Sequence, residues 1–508
     1  MNTDSRTKNS RKNVLIGIAL ALATAIISFV VRTFFIKELG KEYLGVNGLF
    51  SEIISIMSLA DLGIGVAVVY HLYPCIRDND CKKITQFLNF LRKAFNIICL
   101  CYLLVGVALL PFVQFFVKDI ELDTLYLQIV FGVFVLQAAS SYLFSYKTVL
   151  ITADQKRFVV SIVSFLCKLG AAALSVLVLI LTKNYILYLS IVIVQNLAQN
   201  IILSIYVNKH YPFVLNRDVL SSDGKKMVYK DIRNIFGKRL SGVITNSTDN
   251  LLISTMVSTI LVGIYSNYIM IFQLVKIVKT QITYGIAGSV GNLSVTENQE
   301  KNESILRRLT FLYFIFASIV CSGLLGVVND FITLWIGNDY TFETYIVYVL
   351  VIILFLDIIS DPLWQFLEVS GLFKQDKIVG YIGSAVNVVL SIVLCYFFGI
   401  VGIFIGTIST LSIQFVLKTR LLFKRKYDKT GLSFIFVILK CVLGLSLLCV
   451  LNYFLVSKIS TPHSVLTFFV KGFVSGCIGL VVPLLCFFKT DEENYVFSFV
   501  RSKVRRKA

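Results

Sequence analysis

Charge is scarce in this chain. Only 15% of its 508 residues are Asp, Glu, Lys or Arg, while 57% are hydrophobic. Water-soluble domains sit nearer about 25% charged and about 45–50% apolar, so a soluble globule is excluded. Histidine is almost missing: His71, His210 and His463 are the only three, too few for a metal cluster or a histidine-based triad. The eleven cysteines are odd in number and scattered. Most lie inside apolar runs, where cysteine acts as a small hydrophobe. Cys75 and Cys81 share a connection, but their spacing fits no common zinc site. No phosphate-cradling glycine loop followed by lysine occurs, which argues against ATP hydrolysis in this chain. No long aqueous loop carries the acids or histidines that a membrane polymerase or glycosyltransferase presents.

Long apolar runs are what the chain has instead. Fourteen can be marked: 14–36, 45–70, 94–117, 122–150, 159–182, 184–207, 240–262, 264–288, 309–328, 343–367, 378–398, 400–423, 434–456 and 464–488. A spanning helix needs about 20 mostly apolar residues, whereas a membrane barrel strand needs only about 9–11 in alternation. The expected fold is therefore an all-α integral membrane protein of about fourteen transmembrane helices. The first run is too long for a signal segment and has no small-residue cleavage site, so it is expected to be retained.

Lysine and arginine favour the cytoplasmic side. Taking alternate connections, 36 of the 48 fall in one set, and Lys37, Lys41, Lys118, Lys183 and Lys458 alone make up the other. That split places both termini in the cytoplasm. It also accounts for the net charge of +19 without nucleic acid, which would need the charge gathered on a soluble domain; the basic connections suit contact with anionic membrane lipids. The longest connection, 208–239, divides the chain. The expected domains are a six-helix bundle at 1–208, a linker at 209–239, a second six-helix bundle at 240–430, and two further helices with a basic tail at 431–508. A faint repeat supports the halves: Gly45-Val46-Asn47-Gly48-Leu49-Phe50 against Gly263-Ile264-Tyr265-Ser266-Asn267-Tyr268, with the glycines 218 residues apart.

The informative residues are those that hydrocarbon should exclude. An ionisable side chain at the bilayer centre costs about 2.5–3.5 kcal/mol on insertion scales, so it persists where it meets water, a partner or a substrate. Gln273, Lys276, Thr280 and Thr283 share one helical face, with Lys279 one turn beyond Lys276. Lys168 is equally central in its run. These ammonium groups suit an anionic ligand such as a diphosphate; the competing reading is that Lys279 snorkels to the interface. Arg32 stands one turn from the end of the first run, where snorkelling is easy. Asp249 lies in the polar island Thr245-Asn246-Ser247-Thr248-Asp249-Asn250. Asp357 and Asp361 share a face just before Pro362. These acids suit Na⁺ or a titrating proton, or else they pair with the buried lysines. Glu52 and Asp61 are nine residues apart, on opposite sides of their helix. Gln195, Asn196, Gln199 and Asn200 either line a cavity, the reading taken for Gln199, Asn200 and Gln273, or hydrogen-bond between helices.

Arg32-Thr33-Phe34-Phe35, Leu39-Gly40-Lys41-Glu42-Tyr43-Leu44-Gly45-Val46-Asn47-Gly48-Leu49-Phe50 and Leu59-Ala60-Asp61-Leu62-Gly63-Ile64-Gly65 resemble the opening of bacterial oligosaccharide flippases. That is the polysaccharide transport family, relatives of MATE exporters in the MOP superfamily. Ser247-Thr248-Asp249-Asn250 is similar to that family too. The resemblance implies two six-helix bundles around a central cationic cavity, with two added C-terminal helices. It implies export of undecaprenyl-diphosphate-linked repeat units across the cytoplasmic membrane by alternating access, driven by H⁺ or Na⁺ with no other cofactor. It places the chain beside the machinery of surface-polysaccharide synthesis. The family's helix-one arginine falls on Arg32, and Asp61 stands where members often have Glu. The expected site is Arg32, Lys168, Lys276 and Lys279 for substrate, and Asp249, Asp357 and Asp361 for ion coupling. The rivals are a MATE-like exporter of cations, which wants an acidic aromatic lumen, and a membrane polymerase.

Overall fold

In hydrocarbon every backbone N–H and C=O must find a partner within the protein, which leaves helices as the solution for long apolar segments. The computed structural model is accordingly all-helical. It describes residues 3–58, 63–216, 218–296, 298–456, 459, 465–496 and 498; Asp61 and the side chains of Thr245 and Asn246 lie outside the described residues. The helices are α1 (Thr3–Met57), α2 (Ile64–Arg77), α3 (Cys81–Leu109), α4 (Val113–Phe116), α5 (Thr124–Tyr142), α6 (Tyr146–Ala153), α7 (Arg157–Thr182), α8 (Tyr185–His210), α9 (Ser222–Leu252), α10 (Thr259–Thr296), α11 (Gln299–Ile336), α12 (Thr344–Val369), α13 (Phe373–Phe398), α14 (Ile400–Leu422), α15 (Leu432–Leu451) and α16 (Val465–Cys486). Polar residues cap several starts: Asp80, Asn184, Ser221 and Asn298 each accept a backbone N–H three residues on.

Twelve helices among the described residues are long and apolar enough to cross a membrane, not fourteen. Two runs account for the difference. Runs 14–36 and 45–70 fuse into α1, whose apolar stretch Ala19–Met57 counts once at 39 residues. At 1.5 Å per residue it measures about 58 Å, about twice the hydrocarbon thickness. It breaks at Gly40 (φ 86°, ψ −171°), a conformation open to glycine and strained for other residues. Run 240–262 lies mostly in α9, which the Thr245–Asn250 island makes too polar to qualify.

The chain forms two compact units, Met1–Gly263 and Ile264–Ala508. The division expected at 209–239 falls later because α9 packs on α1 and α2 and so joins the first unit. The core of unit 1 gathers Val68 and Leu72 of α2, Leu88 and Leu91 of α3, Ile151 of α6 and Leu203 of α8, all buried. A polar knot ties one end of it. Asp154, buried, accepts from Tyr211 Oη at 2.5 Å and pairs with Lys156 Nζ at 2.7 Å. Burial pushes the Tyr211 phenol up to about 12, so it stays a neutral donor. Burial works against the Lys156 charge, yet its bonds to Asp154 and Tyr211 hold its pKa above the ordinary lysine value.

In unit 2 the last two helices are fastened to α11 by small and polar residues, the usual adhesive where lipid removes the hydrophobic drive. Ser322 Oγ donates to the Ser475 carbonyl at 2.6 Å, Asn452 donates to Ser322 at 2.8 Å, and Lys471 Nζ pairs with Asp330 at 2.7 Å. Gly479 lies so close to α11 that a β-carbon there would sit 2.7 Å from the Ser318 carbonyl oxygen.

The matched glycines of the sequence repeat meet each other. A β-carbon on Gly263 would lie 2.7 Å from the Gly45 backbone nitrogen, and one on Gly45 would collide with the Thr259 carbonyl. In an open helix Gly→Ala gains up to about 1 kcal/mol; at these two positions the clash reverses the sign and costs about 1–3 kcal/mol. Gly45→Ala and Gly263→Ala should each lower the thermal midpoint of the purified protein in detergent. Gly170→Ala in α7, with nothing within 4 Å of its β-carbon, should leave the midpoint unchanged or raise it.

Candidate functional site

In unit 1 the α1 break brings two polar groups to its two sides. Before it, Arg32 lies against Tyr185 and Tyr188 of α8. Those rings pack edge-on against Phe35, at centroid distances of 5.7 and 5.2 Å, and Tyr43 reaches Tyr185 at 5.3 Å. Tyr185 Oη donates to Asn47 Oδ1 at 3.2 Å. Arg32 therefore stands within electrostatic reach of an aromatic wall. Beyond the break, Glu52 accepts from Asn250 Nδ2 at 2.9 Å, and the Ser55 and Ser247 hydroxyls are 3.3 Å apart. Asp249, 6% exposed, belongs to the same turn of α9. The Glu52 carboxylate thus sits in a hydroxyl- and amide-rich seam between α1 and α9, a donor set that suits a proton or a hard cation.

Sequence reasoning passed over Glu52, because it was weighed only against Asp61 on its own helix. Its partner comes from α9 instead. The signal was an acid inside an apolar run, the same criterion that selected Asp249.

Lys168 lies half-buried in α7 with no hydrogen bond or ion pair among the described residues. Its face continues through Ser161, Ser164 and Ser175 at helical spacing. Of the α8 amides, Asn200 is buried, with its Nδ2 3.0 Å from the Ser141 carbonyl, and Asn196 donates to the Gln137 carbonyl at 3.2 Å. Both serve the α5–α8 contact, so the cavity-lining reading of Asn200 gives way to interhelical bonding. Gln199 is half-buried and has no such bond among the described residues.

In unit 2 three expected residues converge. Lys279 Nζ lies 3.0 Å from Asp357 Oδ2 and 3.3 Å from Asp361 Oδ1, and none of these side chains is more than 22% exposed. The network extends by directed bonds. Gln365 donates to Tyr313 Oη at 3.2 Å, the Tyr313 and Thr283 hydroxyls are 2.9 Å apart, and Thr283 donates to Asp361. Lys279 was expected among the substrate cations; the structure makes it the counter-ion of the two acids, the alternative the sequence had left open for them. Grouping them costs less than burying each charge alone. With one ammonium to two carboxylates, the cluster keeps a net negative charge that a proton or Na⁺ would cancel.

Lys276, one turn earlier on α10, is different. It is half-buried and has no ion pair or side-chain hydrogen bond among the described residues; only its backbone carbonyl is engaged, by Thr280 Oγ1 at 2.7 Å. Gln273, on the same face, is exposed. Tyr313 and Gln365 were missed from sequence because buried tyrosine and glutamine carry no insertion cost comparable to a charge.

No protein-family profile matches the chain, and no curated protein matches it. Solved structures do. The lipid II flippase MurJ in an inward closed conformation superposes with a TM-score of 0.66 at 14% identity, over 93% of this chain and 98% of that one. The MATE multidrug transporter DinF-BH gives 0.57 at 17% identity, over 84% and 97%. A Vibrio cholerae MATE transporter, VcmN, gives 0.53 at 14%, over 84% and 100%. The chain has the fold of these flippases and transporters, which is the all-α membrane fold the sequence led us to expect.

Removing Lys279 leaves two buried carboxylates without their counter-ion, which typically costs about 3–5 kcal/mol. Lys279→Ala should therefore lower the thermal midpoint sharply, whereas Lys276→Ala, which removes an unpaired charge, should leave the midpoint unchanged or raise it. Equal effects of the two substitutions on thermal unfolding would contradict the assignment of one lysine as paired and the other as free.

Proposed function

We propose that this chain is a flippase for a lipid-linked saccharide carried on a diphosphate, moving it from the inner to the outer leaflet of a bacterial cytoplasmic membrane for surface-polysaccharide synthesis. The observation that carries the reading is the pair Lys168 and Lys276. Each lies inside an apolar helix, partly exposed, with no carboxylate to neutralise it among the described residues. Maintaining such a charge costs free energy at every moment the site is empty. A diphosphate substrate returns that energy through charge-assisted hydrogen bonds. The fold likeness to a lipid II flippase supports a lipid-linked cargo. Arg32, beside its tyrosines, suits an anion or a sugar face.

Binding alone gives no direction. In this reading, alternating access is driven by an ion gradient sensed at carboxylates. Asp249 with Glu52 in unit 1, and Asp357 with Asp361 in unit 2, are the candidates. A proton or Na⁺ arriving at the second pair loosens its hold on Lys279 and changes how α10 and α12 are joined.

The buried acids Glu52 and Asp249 and the likeness to MATE transporters favour one other reading, an exporter of organic cations. The two readings differ in what the lysines do. A cation exporter gains nothing from Lys168 and Lys276 and would improve on losing them.

Proteoliposomes loaded with a fluorescent undecaprenyl-diphosphate saccharide test the choice. A hydrogen bond to a charged group is worth about 1.5–3 kcal/mol, so Lys168→Ala and Lys276→Ala should each slow translocation by about 10- to 100-fold at unchanged protein content. Parent-like rates in both variants, with efflux of a cationic dye retained, would overturn the flippase reading.

A further inference from the structure

A second cation-rich feature stands apart from the transport residues, at the end of unit 1 that carries the basic connections. A notch of about 430 Å³ opens between α3 and the connection leading into α9. Its polar lining is Arg92, Lys93 and Asn96 of α3, with Asp218 and Lys225 opposite. Asn89 Nδ2 pins the connection over the helix by donating to the carbonyls of Asn216 and Asp218, 3.0 Å each.

Two facts set the notch apart. It gathers three cations beside a single carboxylate, whereas elsewhere at this end Arg77 pairs with Asp78, Lys83 with Asp80 and Lys156 with Asp154. Arg92, Lys93 and Lys225 have no ion pair or side-chain hydrogen bond among the described residues, and Asp218 lies beyond ion-pair distance of all three. The second fact is what lies above them. The α3 face that carries Lys93 continues through Ile97, Leu100 and Leu104, which are 61%, 54% and 61% exposed. From Lys93 to Leu104 the helix rises about 16 Å, close to the depth of one leaflet of hydrocarbon, about 15 Å. On the other wall Leu215, Val219 and Tyr229 are also largely exposed, as apolar residues at a membrane surface are.

We propose that this notch holds the phosphate headgroup of an anionic glycerophospholipid of the surrounding leaflet, with its acyl chains lying along Ile97, Leu100 and Leu104. Three unmatched cations recognise the phosphate, and the exposed apolar face recognises the chains. A free phosphate ion would use the cations and leave the apolar face without a role. The site fixes the α3–α9 connection to the membrane surface and does not depend on the transported substrate.

The test uses the full chain in nanodiscs of mixed phosphatidylglycerol and phosphatidylcholine, extracted gently and read by native mass spectrometry for retained lipid. The parent should keep phosphatidylglycerol selectively. Arg92→Ala, Lys93→Ala and Lys225→Ala together should weaken retention by at least about 10-fold, since each cation near a headgroup contributes about 1 kcal/mol. A control triple at Lys424, Arg425 and Lys426 should retain the lipid. Leu100→Ser, with every charge intact, should weaken retention of long-chain over short-chain phosphatidylglycerol. Inorganic phosphate should fail to displace the lipid. Equal loss in both triples, or displacement by inorganic phosphate alone, would overturn the proposal. Should the notch triple fail to fold, Lys93→Glu alone decides: parent-like retention in it would overturn the site.

Discussion

The cost of an unpaired charge in hydrocarbon governs this molecule. A bilayer offers no water to solvate an ammonium or carboxylate, so each one inside a spanning helix must be justified by a partner, a wet surface or a ligand. The buried charges sort into these classes. Lys471 answers Asp330 and so fastens α16 to α11. Lys279 answers Asp357 and Asp361 and so joins α10 to α12. Lys168 and Lys276 meet no carboxylate among the described residues. The paired charges build the fold, and the unpaired two are the ones that the proposed function assigns to cargo.

The same cost shapes the backbone. Among the described residues twelve long helices satisfy their own hydrogen bonds, and where helices touch, small residues let main chains approach. Gly45 with Gly263 and Gly479 with Ser318 are such contacts. Gly40 does the opposite work, breaking α1 so that the aromatic wall around Arg32 and the carboxylate seam at Glu52 belong to one continuous element yet lie on either side of a bend.

Much of this was legible beforehand. Apolar run length announced the helices because bilayer thickness sets their size. The second half of the chain matched almost run for run, from 343–367 against Thr344–Val369 to 464–488 against Val465–Cys486. Fusion of the first two runs was not legible, since a glycine between two runs does not say whether it bends one helix or separates two. The site was legible as a set of suspects. Central position picked out Lys168, Lys276, Lys279, Asp357 and Asp361 as polar anomalies. It did not say which would find one another, because pairing between α10 and α12 is a tertiary fact 78 residues apart in sequence. Asn200 shows the converse: an amide inside a run reads as a cavity group or an interhelical donor with equal ease, and only its contact with the Ser141 carbonyl decides.

The central claim is that Lys168 and Lys276 are kept without partners in order to meet an anion. Its most direct measurement is equilibrium binding of undecaprenyl diphosphate against uncharged undecaprenol to the purified protein. The account predicts that the diphosphate binds at least about 10-fold tighter and that this preference disappears when both lysines are replaced by alanine. Equal affinity for the two lipids in the parent protein, or an unchanged preference in the double variant, would contradict it.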